Sequence, residues 1–223
     1  MVYLLHGYPG SAADWFRAGR VPRTMDMLLA ERLVQPMIVV APSASGGWGH
    51  DSEMLDQVGG PQVETYLTRD VVHAVDARYR TIAGRAGRAI GGMSSGGYGA
   101  INLGLRHQDA YSVILAEMPY GDPGDVTGRL LGGRRDLWLA NAPDHYIPTM
   151  AFTRPITVYL IDGAGDQTLS VAARITRMLD RRGQHAQLQV VPGASHSWRG
   201  ASTELPYSLV FASTRLQTGP TGL

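Results

Sequence analysis

Short apolar runs alternate along the chain with longer stretches in which apolar residues recur every three or four positions. The runs are Val2–Leu5, Met37–Ala41, Arg88–Gly91, Ser112–Ala116, Ile156–Ile161 and Leu188–Val191. They lack polar alternation, as strands buried on both faces of a parallel sheet do. Helical periodicity covers Arg23–Leu33, Val63–Tyr79, Tyr98–Arg106, Leu169–Arg182 and Glu204–Leu216. In the second of these, Val63, Tyr66, Leu67, Val71, Val75 and Tyr79 share one face, which predicts core packing. Strand and helix alternating in this way predict an α/β domain with a mostly parallel central sheet flanked by helices.

One interval breaks the rhythm. From Pro119 to Arg154 the chain carries Gly121, Pro123, Gly124, Gly132, Gly133, Pro143 and Pro148 with little periodicity. It follows the run Ser112–Ala116 and so leaves the sheet at its carboxyl edge, where open α/β sheets bind ligands. An insertion of this kind reads as irregular and lid-like. Its apolar side chains, Trp138 and Tyr146 foremost, are candidate contacts for an acyl or lipid chain. The plainer alternative is a partly helical connection whose apolar residues cover the core.

Composition narrows the chemistry by exclusion. The 223 residues are 44% hydrophobic, enough for one sizeable core, and the length fits a single domain over 1–223. There is no Cys, so disulfides, thiolate metal sites and a cysteine nucleophile are excluded. There is no Lys either: all 20 basic residues are Arg, which excludes a P-loop lysine and any lysine Schiff base. With 19 acidic residues against them the net charge is +1, and no nucleic-acid surface is expected. No apolar run approaches the ~18 residues of a membrane-spanning helix, and no signal peptide opens the chain. The chain begins directly on the Val2–Leu5 run, which reads as a piece of a longer precursor or multidomain protein.

The candidate chemistry lies in Gly92-Met93-Ser94-Ser95-Gly96, a G-x-S-x-G sequence directly after one predicted strand and directly before a helical stretch. A serine on a sharp strand-to-helix turn projects its hydroxyl at the carboxyl edge of the sheet, beside a helix N-terminus that favours negative charge. Ser95 is the rival, but the two glycines frame Ser94. A hydroxyl needs a base to take its proton. In α/β hydrolases the chain order is Ser, then acid, then His. Of the seven histidines only His107, His145, His185 and His196 follow Ser94. His107 ends the serine's own helix, His145 lies in the irregular interval and His185 precedes the last strand. His196 follows that strand in a loop at the carboxyl edge and is the candidate base.

The acid is expected after Ile156–Ile161, in Asp162-Gly163-Ala164-Gly165-Asp166. Asp162 is still at the strand terminus, whereas Asp166 has the reach to meet an imidazole, so Asp166 is preferred. The loop His6-Gly7-Tyr8-Pro9-Gly10 follows the first strand at the same edge. The backbone N–H groups of Tyr8 and Ser95 are the candidate oxyanion donors, with His6 fixing the loop. Trp48 in Ser45-Gly46-Gly47-Trp48-Gly49-His50-Asp51 is a candidate wall of the substrate site. His50 and Asp51 lack a third ligand at metal-binding spacing, so neither a metal nor another cofactor is expected. Glu64 opens a helix near the site, where its charge suits the helix dipole.

Four blocks resemble the esterase D family of α/β hydrolases. They are Val2 to Gly7, Glu64 to Leu67 with Asp76 to Thr81, Gly92 to Ala100, and Gly193 to Trp198. That family includes S-formylglutathione hydrolases, feruloyl and acetyl-xylan esterases, enterochelin esterases and secreted mycolyl transferases. The resemblance implies an α/β-hydrolase fold, a triad of Ser94, Asp166 and His196, and Tyr8 and Ser95 as amide donors. It implies a serine carboxylesterase acting through an acyl-enzyme on a small-molecule, lipid or sugar ester. The alternatives are transfer of the acyl group to a sugar or lipid hydroxyl, and a non-catalytic binding module. Members usually carry further strands before the His-Gly block, and the interval Pro119–Arg154 matches none of the named subfamilies. The all-Arg usage hints at a GC-rich genome and suits an actinobacterial envelope esterase.

Overall fold

The computed structural model describes residues 1–45 and 49–218. Six strands form one parallel sheet: β1 (Val2–Leu5), β2 (Val39–Val40), β3 (Ala89–Met93), β4 (Val113–Glu117), β5 (Thr157–Gly163) and β6 (His185–Val191). Their order across the sheet is β2-β1-β3-β4-β5-β6. The helices are α1 (Ala12–Arg17), α2 (Val21–Ala30), α3 (Val63–Thr65), α4 (Val71–Arg78), α5 (Ser95–Arg106), α6 (Arg135–Ala140), α7 (Pro143–Tyr146), α8 (Leu169–Arg181) and α9 (Trp198–Arg215). A π-helical stretch, Tyr66–Asp70, joins α3 to α4, so the predicted helix over Val63–Tyr79 is continuous but widened in its middle.

Alternate residues of each strand enter opposite halves of the core. Val2, Leu4, Val113, Leu115, Tyr159 and Ile161 pack with Trp15 of α1, Leu28 of α2 and Leu205 and Leu209 of α9. Tyr3, Leu5, Ile90, Ile114, Val158 and Leu160 pack with Val71 and Val75 of α4, Ile101 and Leu103 of α5 and Ile175 and Leu179 of α8. Burial on both faces explains the continuous apolar runs of the central strands.

The edges differ from expectation. β2 keeps only two ladder residues, held between Pro36 and Pro42, which have no N–H to donate. β6 begins at His185 rather than Leu188 and, among the described residues, pairs only with β5. His185 and Gln187 face out, so its exposure alternates, and the apolar window at its end showed only half the strand. His185 thus lies within the last strand. α5 and α9 start three and six residues earlier than their periodicity predicts (Ser95 against Tyr98, Trp198 against Glu204), because small and polar residues fill their first turns. The interval Pro119–Arg154 is partly helical, carrying α6 and α7.

This topology selects the site. After β1 the chain crosses to β2 on one side, and after β3 it crosses to β4 on the other. The loops leaving the carboxyl ends of β1 and β3 therefore diverge and open a crevice between them. No helix among the described residues is long and apolar enough to cross a membrane.

Candidate active site

Ser94 is held at φ 56°, ψ −121°, a left-handed conformation that a non-glycine residue adopts only under constraint. The constraint is tight backbone packing beneath it. A Cβ added to Gly92 would lie 2.6 Å from the Leu5 carbonyl oxygen, so only glycine lets β1, β3 and the start of α5 approach this closely. The Ser94 amide donates to the Glu117 carbonyl of β4 at 3.0 Å, and the Ser94 carbonyl accepts from Tyr98 of α5 at 2.9 Å. The side chain is thereby aimed off the sheet edge and stays partly accessible.

His196 lies 102 residues further on, yet its Nε2 sits 2.8 Å from Ser94 Oγ. The imidazole is carried by the loop between β6 and α9. Ser197 caps α9, its Oγ accepting from Gly200 N at 3.2 Å, and Trp198 packs edge-on against Trp15 at 5.1 Å. The indole pair fastens the start of α9, and with it the histidine loop, to α1. His196 Nδ1 faces Asp166 Oδ1 at 3.2 Å. The Asp166 side chain is only 1% exposed while that of His196 is 30% exposed. Asp166 is thus screened by protein, while the His196 imidazole is open to solvent.

Asp166 sits in the turn between β5 and α8. Its Oδ1 accepts from the Thr168 amide at 3.0 Å and from the Thr168 hydroxyl at 2.8 Å. Burial works against its charge, but these bonds and His196 outweigh it and hold the carboxyl below its ordinary value. Asp162, the alternative acid, lies at the end of β5 with no exposure and meets Thr168 Oγ1, not the imidazole. Burial, with the Asp166 charge beside it, pushes Asp162 up to about 6.

The loop after β1 runs alongside the serine: a Cβ at Gly7 would lie 3.3 Å from Ser94 Cβ. His6 fixes this loop, with Nδ1 2.9 Å from the Gly7 carbonyl and Nε2 3.0 Å from the Ala44 amide. The Ala44 amide donates to Nε2, so the bond to the Gly7 carbonyl is donated by Nδ1. Tyr8 follows Gly7, and its hydroxyl donates to the Gly49 carbonyl at 3.2 Å. Ser95 opens α5, so its amide is among the free donors of the helix N-terminus.

The remaining candidates make other contacts. Trp48 lies outside the described residues. The Trp138 indole donates to the Gly124 carbonyl at 2.8 Å, and its ring packs on the small cluster of Leu55, Val126, Leu130 and Leu131. Tyr146 packs against the main core, and its hydroxyl donates to Asn102, eight residues into the helix that follows Ser94. Leu130, Leu131 and Ile147 are buried. Leu130, Leu131 and Ile147 of the interval thus close the domain, while Trp138 and Tyr146 pack on it and stay partly exposed. Glu64 is also displaced from expectation: it bonds Arg106 and His107 at 2.6 and 2.7 Å, at the far end of α5.

Glu53, Tyr120 and Thr168 carry no motif of their own and are not singled out by sequence. Glu53 and Met54 adopt positive φ values of 46° and 53° in succession, and Met54 packs on Gly99 of α5. Tyr120, three residues beyond β4, stacks on Tyr98 at 5.2 Å and donates to Glu53 Oε2 at 2.8 Å. Burial, with Asp51 nearby, pushes Glu53 up to about 8. Thr168 is the third. Position at strand ends was the available signal for Tyr120 and Thr168; none marked Glu53.

A family model for esterases, described as "Putative esterase", matches residues 1–209. An uncharacterized protein of Corynebacterium glutamicum is 25% identical over 216 residues, which is 90% of this chain and 50% of that protein. The chain thus spans about half the length of that curated relative. A solved ferulic acid esterase superposes with a TM-score of 0.82 at 25% identity, covering 96% of this chain and 84% of the other. An S-formylglutathione hydrolase from Agrobacterium tumefaciens gives 0.81 at 20% identity, covering 97% and 84%, and speaks to the α/β-hydrolase fold.

Proposed function

The chain belongs to the esterase family, and from that premise we propose that it is a serine carboxylesterase whose Ser94, His196 and Asp166 form an acyl-enzyme triad. The observation that carries this reading is the unbroken line from Ser94 Oγ to His196 Nε2 at 2.8 Å and from His196 Nδ1 to Asp166 Oδ1 at 3.2 Å. His196 takes the Ser94 proton as the oxygen attacks the ester carbonyl, and Asp166 holds the ring with its proton on Nδ1. The amides of Tyr8 and Ser95 receive the oxyanion, aided by the N-terminus of α5. His196 then hands the proton to the departing alcohol. In the second half-reaction it takes a proton from the water that attacks the acyl carbon and returns that proton to Ser94 Oγ as the acid leaves.

The substrate class is a small-molecule carboxylic ester, and residues 1–223 act as one catalytic domain. Transfer to a sugar or lipid hydroxyl would use the same residues. Hydrolysis is the better reading because the 30% exposure of the His196 side chain leaves the base open to water. The test is turnover of a short-chain p-nitrophenyl ester by the wild type and by Ser94→Ala, with and without added alcohols. Ser94→Ala is expected to lose about 10⁶ in kcat with its fold intact. A variant retaining more than about a few per cent of activity removes Ser94 from the mechanism.

A further inference from the structure

Thr168 Oγ1 lies 2.8 Å from Asp166 Oδ1 and 2.9 Å from Asp162 Oδ2. A threonine hydroxyl carries a single proton, and an ionised carboxylate can only accept. Both contacts are hydrogen bonds only if one of the two carboxyls carries a proton of its own. Asp166 is the wrong place for it. The Thr168 amide at 3.0 Å and His196 Nδ1 at 3.2 Å face the same Asp166 oxygen, and donors aimed at a carboxylate favour its charged form. Asp162 has no exposure, and its Oδ1 has no hydrogen-bond partner among the described residues. The titratable groups facing it are Asp166 and His196 from the two loops and Glu204 from α9, with Glu117 of β4 beside Glu204. In that set the charge of Asp166 disfavours a second negative charge on Asp162, and burial removes the water that would otherwise stabilise it.

We propose that Thr168 is a positioning residue for the reaction: a protonated Asp162 donates to Thr168 Oγ1, and the Thr168 hydroxyl proton is thereby committed to Asp166. The inference rests on the triad reading above. The bonded line then runs from Asp162 Oδ2–H through Thr168 Oγ1–H to Asp166 Oδ1, the oxygen that faces His196 Nδ1. Ionising Asp162 removes the first donor, sets two carboxylates in competition for one hydroxyl proton, and loosens the hold on Asp166. Burial pushes Asp162 up to about 6, so this change falls in an assayable range.

The experiment compares Thr168→Val, Thr168→Ser and Asp162→Asn with the wild-type chain, reading kcat and KM for a short-chain p-nitrophenyl ester from about pH 5 to about 8.5. A misplaced acid–base pair costs up to about 100-fold, so Thr168→Val is expected to lower kcat about 10- to 100-fold, with KM within about twofold. Thr168→Ser, which keeps the hydroxyl, is expected to recover most of that loss. The D162N to wild-type kcat ratio is expected to rise about threefold or more across the range, because an amide stays neutral while Asp162 ionises. Wild-type kcat in Thr168→Val, equal impairment of Thr168→Val and Thr168→Ser, or a flat D162N ratio each overturns the proposal. Ser94→Ala run in parallel separates the two readings. An active Ser94→Ala sinks the triad, whereas an inert Ser94→Ala with Thr168→Val at wild-type rate sinks only the role of Thr168.

Discussion

Replacing Glu204 by Gln should stabilise the protein at neutral pH and leave it nearly unchanged at pH 4.5. Glu204 is fully buried in α9, and neither carboxyl oxygen has a hydrogen-bond partner among the described residues. Burial, reinforced by Asp162 and Asp166, pushes the carboxyl up to about 8 from an ordinary 4.5. The native state therefore binds a proton that the unfolded chain releases above about pH 4.5. With more protons bound in the folded state, stability falls as pH rises, by about 1.4 kcal/mol per pH unit for this group. The penalty is absent below the unfolded value, grows through the window from 4.5 to 8, and levels off above the folded value. At pH 7.5 it amounts to about 4 kcal/mol, of order 10 °C in Tm for a domain of this size. A neutral glutamine meets much the same surroundings as the neutral acid but has no proton to lose. The assay is urea unfolding followed by tryptophan fluorescence at closely spaced pH values for both proteins. Glu117 and Glu53 are raised in the same direction, so the wild type should slope more steeply than one group explains. The difference between wild type and Glu204→Gln isolates Glu204. A difference that does not change with pH, or a variant less stable than wild type at pH 7.5, refutes the reasoning.

Other outcomes follow from the geometry. Asp166→Asn should lower kcat by about 10⁴, because an amide facing Nδ1 favours the wrong imidazole tautomer; Asp162→Asn should do far less, and equal losses would reassign the acid. Tyr146→Ala should lower stability by about 3 kcal/mol or more without shifting the preference among acyl chain lengths, and a changed preference with unchanged Tm would return that residue to the substrate site. Glu64→Gln should lower stability while sparing kcat, since it loosens Arg106 and His107 at the end of α5 remote from Ser94; a matched fall in kcat without destabilisation would contradict that placement.

How much was legible from sequence differs element by element. The central strands were readable because burial on both faces leaves unbroken apolar runs, and β1 was located to the residue. Ser94 was readable because its strained turn requires glycine on both sides, a requirement written directly into Gly92 and Gly96. The placement of His196 and Asp166 beside Ser94 was readable by chain order, because parallel strands deliver successive loops to one edge of the sheet. The edge strand β6 and the first turns of α5 and α9 were read short, since their signals are alternation and small residues, not apolar period.

Tertiary structure alone decided the rest. An apolar side chain has the same signature in sequence whether it lines a ligand site or closes a core, so only packing shows that Leu130, Leu131 and Ile147 are buried. Glu64 and His107 are 43 residues apart, and the helical pattern around each says nothing of the other. The raised proton affinity of Asp162 likewise depends on its burial and on the acid and histidine loops that the fold brings beside it. Local sequence sets which groups can ionise and which turns can form; through-space neighbours, which the fold chooses, set which proton each group holds and which surface remains for a substrate.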